Sequence, residues 1–135
     1  MSYYIAATLR APFEEAIKQT EAALKDEGFG VLTRIDVRET LKAKIGADFR
    51  PYTILGACNP ALAHEALQLE DKVGTMLPCN VVVRALDEET SLLEAFDPDA
   101  MMGLADNDAL HAVATDAKER LTAALDALAS AEGTR

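Results

Sequence analysis

Two short runs carry the residue types most able to do chemistry: Cys58-Asn59-Pro60 and Pro78-Cys79-Asn80. Asn is a strong helix cap and Pro a favoured first helical residue, so a helix starts directly after Cys58. A thiol at a helix N-terminus meets free N–H groups and the positive end of the helix dipole, which can depress its pKa and hold an anion. The competing reading is a small apolar filler, the common state of a free cysteine. If the strands ending at Cys58 and starting at Cys79 are antiparallel neighbours, both thiols reach one end of the sheet, beside Asn59, Asn80 and Met76. A parallel crossover would separate them. The candidate binding set is therefore Cys58, Asn59, Cys79 and Asn80, with Cys58 the candidate nucleophile and Cys79 its resolving partner.

Other chemistries find less support. Structural zinc takes four Cys or His ligands, often with a close CxxC pair, and none occurs. His64 sits opposite Leu62 on its helix and is expected to face water, as is His111. No metal is assigned, no cofactor is named by the sequence, and a haem or soft-metal contact through Cys or Met has no spacing behind it. The pairs Glu14/Glu15 and Asp97/Asp99 fall in helix first turns, where the dipole accounts for them. Neither a phosphate-cradling glycine loop nor a nucleophile elbow is present. Eight strand positions at ~3.3 Å each separate Arg50 from Cys58, so Arg50 is expected to pair with an acidic neighbour or to reach across a dimer.

The elements that must position these residues follow from periodicity. Tyr3 to Leu9 alternates as a strand, and Pro12 opens a helix with the stripe Phe13, Ile17, Thr20 and Leu24, closed by Gly28. Gly30 to Ile35 is a second strand. Asp36 and Glu39 have capping-box spacing before a short helix with Val37, Leu41 and Ile45 on one edge, ended by Gly46. Pro51 to Cys58 is the third strand, with Tyr52, Ile54, Gly56 and Cys58 on one face; a glycine there implies a close approach. The next helix has the edge Leu62, Ala66, Leu69 and Val73. Cys79 to Leu86 is apolar enough for a buried central strand, and Thr90 to Phe96 is its hairpin partner. A short turn holds Met101 and Met102. A long helix from Asp106 carries Leu110, Val113, Ala117, Leu121, Ala124 and Leu128, and residues 132–135 form a frayed tail.

The order β-α-β-(α)-β-(α)-β-β-α predicts one α+β domain over residues 1–131. Its sheet is mostly antiparallel, with the long helices on one face. The 135 residues suit one domain. Thirteen basic against 23 acidic residues, net −10, remove the phosphate-neutralising drive for nucleic acid and disfavour anionic membranes. No apolar run reaches the ~18 residues of a membrane span, the start lacks a signal-peptide pattern, and two cysteines make no disulfide framework. Cytoplasmic residence is expected.

Several runs together resemble a known family. They are Gly28-Phe29-Gly30-Val31-Leu32-Thr33-Arg34-Ile35-Asp36-Val37, Thr40-Leu41-Lys42, Phe49-Arg50-Pro51-Tyr52, Ile54 to Pro60, Leu62-Ala63 and Leu77 to Val83. This pattern is similar to the domain of unknown function 302 family of small prokaryotic proteins. The resemblance implies a TATA-binding-protein-like α+β fold, β-α-β(4)-α with the short helices as inserts, often dimeric. Arg84 departs from it, standing where many members carry an aromatic residue. The family offers no settled activity to carry over, and fold alone implies no DNA binding. Function is expected to be that of a small ligand-binding or interaction module acting as a homo-oligomer, with a second copy in a homodimer and a small molecule as the expected partners. A thiol-dependent enzyme or redox protein and a haem or soft-metal binder are the alternatives.

Overall fold

Alternate residues of the central strands are buried, and helices cover the sheet on that side. The computed structural model describes residues 2–133. Strands β1 (Tyr4–Leu9), β2 (Gly30–Asp36), β3 (Tyr52–Cys58), β4 (Cys79–Ala85) and β5 (Ser91–Phe96) form one sheet. Its order is β1-β5-β4-β3-β2, and every pairing is antiparallel. Helices α1 (Phe13–Asp26) and α5 (His111–Gly133) pack on one face; α2 (Val37–Ile45), α3 (Pro60–Leu69) and α4 (Pro98–Ala105) are shorter. With α2, α3 and α4 set aside, the order is the β-α-β(4)-α that the resemblance implies.

The stripes read from the sequence are the ones that sink. Ala16, Ile17, Thr20 and Leu24 of α1 and Leu121, Ala124 and Leu128 of α5 meet Leu55, Val81, Val83 and Leu93 of the sheet. Fully burying each such leucine or valine contributes roughly 1.5–3 kcal/mol. Thr20 belongs to this stripe because its hydroxyl donates to the Ala16 carbonyl at 2.7 Å, so no polar group is stranded. A second cluster, Ala66, Val73, Met101, Leu110 and Val113, fills the space under α3, α4 and the start of α5.

Local punctuation sets the ends. Asp36 accepts from the Glu39 N–H at 2.9 Å, and Gly46 closes α2 at φ +67°. Asp97 accepts from the Asp99 N–H at 2.9 Å, and Lys118 of α5 donates to both carboxylates, at 3.2 and 2.7 Å, tying α4 to the long helix. Asp106, expected to begin the long helix, instead takes a left-handed conformation between α4 and a 3-10 turn at Asp108–Leu110.

Other expectations are corrected too. The helix after Pro60 stops at Leu69, because Glu70 is extended and its carboxylate accepts from the Lys72 N–H, starting a separate 3-10 segment at Asp71–Met76. Val73 is still buried, but Leu69 is 41% exposed. The turn holding Met101 and Met102 is a helix of eight residues. Strand β4 is central, as read, yet only one face is covered: Cys79, Val81 and Val83 are buried while Asn80 is exposed and Val82 half-buried. Of the expected tail, residues 132 and 133 continue the α5 backbone, and residues 134–135 lie outside the described residues.

Candidate functional site

The segments flanking α3 and the following 3-10 turn run antiparallel as neighbours, with Ala57 opposite Cys79 and Gly56 opposite Asn80. Cys58 and Cys79 therefore stand at the same end of the sheet. Alternation then sends them to opposite faces. Cys79 joins Val81 and Val83 on the helix side and is buried. Cys58 follows the register of Gly56 and Ile54 and is half-buried at the strand end. Both thiols are free.

Burial acts on both thiols. Desolvation pushes the Cys58 thiol above its ordinary value. Desolvation also pushes Cys79 up, with Cys58 adding to the rise, to about 11. A nucleophilic cysteine needs the opposite shift, since the thiolate is the reactive form. Asn59 is spent on structure: its side-chain oxygen accepts from the Leu62 N–H at 3.3 Å, capping α3. Its amide also packs over Gly28, whose φ of +86° leaves space for it; a Cβ on Gly28 would come within 3.0 Å of Asn59 Nδ2.

Asn59 and Cys79 line an apolar cavity with Leu62, Met101 and Val113, of about 40 Å³. Useful ligand sites run to roughly 300–1,000 Å³, so this cavity is a packing gap of a few atoms.

A hollow of about 540 Å³ lies on the uncovered face of the sheet. Asn80 and Val82 of β4 and Glu94 and Phe96 of β5 form its floor; Tyr3 and Tyr4 wall one side, and Arg50 and Tyr52 the other. Register explains the gathering: Tyr4 is opposite Phe96, Val82 opposite Glu94, and Tyr52 opposite Arg84. Arg84 Nε donates to Glu94 Oε1 at 2.8 Å and its NH2 to Oε2 at 3.4 Å. The Glu94 bond raises the Arg84 pKa first, and both Tyr52 and Tyr4 lie near enough to add to that rise. Arg84 thus sits between the two aromatic walls. Arg50 takes no ion pair among the described residues; its guanidinium lies over Phe49, 5.5 Å from the ring centroid, correcting the expectation of an acidic neighbour. Asn80 and Phe96 also border a hollow of about 220 Å³ beside Met76 and Leu104.

Gly56 faces this open side, and the close approach inferred for it is real. A Cβ there would collide with the Thr33 hydroxyl and sit 2.9 Å from Cγ of Pro78.

The four candidate residues therefore divide. Asn80 lines the open hollow, Asn59 and Cys79 line the small cavity, and Cys58 lies at the strand end between them. His64 and His111 are exposed, and no group of three His, Cys, Asp or Glu able to hold a metal occurs among the described residues. Tyr3, Tyr4, Arg84, Glu94 and Phe96 were not singled out as site residues by their spacing. For Tyr4, Arg84, Glu94 and Phe96 the signal is a strand position of opposite parity to the core residues, whereas Tyr3 precedes β1 and carries no such signal.

A family model described as domain of unknown function DUF302 matches residues 5–128. The chain belongs to this family. The crystal structure of an uncharacterized conserved DUF302 protein from Bacillus stearothermophilus is similar to it, with TM-score 0.87 and 35% identity over 95% of this chain and 99% of that one. A search among curated proteins finds no match. No helix among the described residues is long and apolar enough to cross a membrane.

Proposed function

We propose that this DUF302 chain is a non-covalent binding module whose ligand site is the uncovered face of the sheet. The observation that supports it is the 540 Å³ hollow, walled by aromatic rings and holding an arginine without a carboxylate partner among the described residues. That volume is of ligand-site size, and a few polar groups among apolar walls are what such sites use. The upward shifts of both thiols weigh against the thiol-enzyme alternative, and no ligand set favours a metal or haem.

The chain contains three tyrosines and no tryptophan, and Tyr3, Tyr4 and Tyr52 all line the hollow. Its near-ultraviolet emission therefore reports on this site alone. A screen of small molecules should yield binders that change tyrosine emission saturably, and binders that leave it unchanged would refute the location. Self-association belongs to the same proposal. Leu32 on edge strand β2 is 67% exposed and Ile45 on α2 is 73% exposed, and α2 has no buried residue. Sedimentation equilibrium should give twice the chain mass, and a monomer at all concentrations would remove that part. Two free thiols suit the reducing cytoplasm.

A further inference from the structure

The composition of the hollow constrains the chemistry of what it can hold. Its charged lining is two arginines against one glutamate, an excess of one positive charge in a chain of net −10. Arg84 is neutralised by Glu94 through two hydrogen bonds. The excess therefore resides on Arg50. Its guanidinium rests over Phe49, and Phe49 in turn packs on Tyr52 with ring centroids 5.8 Å apart. Arg50 takes no ion pair among the described residues, and a guanidinium fork matches a carboxylate with two parallel hydrogen bonds.

The rest of the hollow is a place for flat apolar surface. Tyr3 and Tyr4 meet edge to face at 5.2 Å on one wall, Tyr52 stands on the other, and Val82 and Phe96 lie between. Rings stacked against such walls gain beyond their buried area. A single uncompensated cation suits one negative charge. A polyanion would meet the field of the whole acidic chain with no second cation to answer it, and a cation would face Arg50.

We propose that the hollow binds planar aromatic monocarboxylates, with the carboxylate on Arg50 and the ring between the tyrosine walls. The proposal rests on the binding-module reading and adds the ligand class to it. The test is calorimetric titration of the whole chain with 2-naphthoate, the neutral 2-naphthylmethanol and the cationic 2-naphthylmethylammonium. Naphthoate should bind at least about tenfold more tightly than the neutral analogue, and the cation most weakly. Arg50→Gln should bring naphthoate down to the level of the neutral analogue, and Arg50→Lys should recover only part of the loss, because the point charge lacks the fork. Arg50 is exposed, so both variants should melt like the parent chain. Equal or tighter binding of the neutral or cationic analogue, or naphthoate binding indifferent to Arg50→Gln, overturns the ligand class and leaves the binding-module reading standing. Failure of all three probes overturns the ligand class too; if the small-molecule screen also finds no binder, the binding-module reading falls with it.

Discussion

The two faces of this sheet are built from the same five strands and have opposite physical characters. On the helix face Leu55, Val81, Val83 and Leu93 are fully buried under α1 and α5, and the Cys79 thiol is buried with its pKa driven up to about 11. On the other face the neighbours of those residues, Ile54, Val82, Arg84 and Glu94, are only half-buried among the described residues. Position relative to the pleat, one residue either way, decides whether a side chain stabilises the fold or is available to a ligand.

The sharpest way to break this contrast is to truncate one residue on each side. Leu93→Ala should cost about 2–5 kcal/mol in urea unfolding, since it leaves a cavity in a dry core. Val82→Ala on the open face should cost less than about 1 kcal/mol. Equal losses would mean that the open face is covered in solution. Gly56→Ala tests the one point where the open face is crowded. The added methyl meets Thr33 and Pro78 and should destabilise by about 1–3 kcal/mol. Thr33→Ala in the same chain should recover part of that.

The thiols give a pH-dependent contrast. Cys79 has a folded-state pKa raised from about 9 to about 11, so the unfolded chain releases its proton first as pH rises. Its contribution is complete below about pH 9 and is lost as pH climbs toward 11, amounting to about 1 kcal/mol by pH 10. Cys79→Ala should flatten that loss in paired unfolding titrations, and an unchanged slope would mean that the thiol is not buried. Both cysteines should react with an alkylating reagent more slowly than a free thiol at neutral pH, Cys79 the slower. The smallest effect is expected at the Arg84–Glu94 pair, where Glu94→Gln should cost no more than about 1 kcal/mol.

Much of the scaffold was legible because it is written locally. The α1 and α5 stripes carry period 3.6 and are buried as read. The alternation of β3 places Tyr52, Ile54, Gly56 and Cys58 together, and the antiparallel pairing that brings Cys58 and Cys79 to one end is one of the two arrangements the sequence allows. The parity of that pairing was not legible. It depends on how α3 and the 3-10 turn return the chain, and a shift of one residue exchanges the faces. Nor could Val81-Val82-Val83 reveal that its second side lacks a layer, since a buried strand and a half-covered one can share that run. The hollow itself draws on segments from Tyr3 to Phe96, so no local motif announces it.

The central claim is that ligand chemistry belongs to the uncovered face and not to the thiol-lined cavity beneath the helices. Ring-labelled tyrosines report the first and the Met101 methyl reports the second, so both can be followed in one spectrum during titration with 2-naphthoate. The account predicts saturable shifts at Tyr3, Tyr4 and Tyr52 with Met101 unmoved; a shifting Met101 methyl beside stationary tyrosines would contradict it.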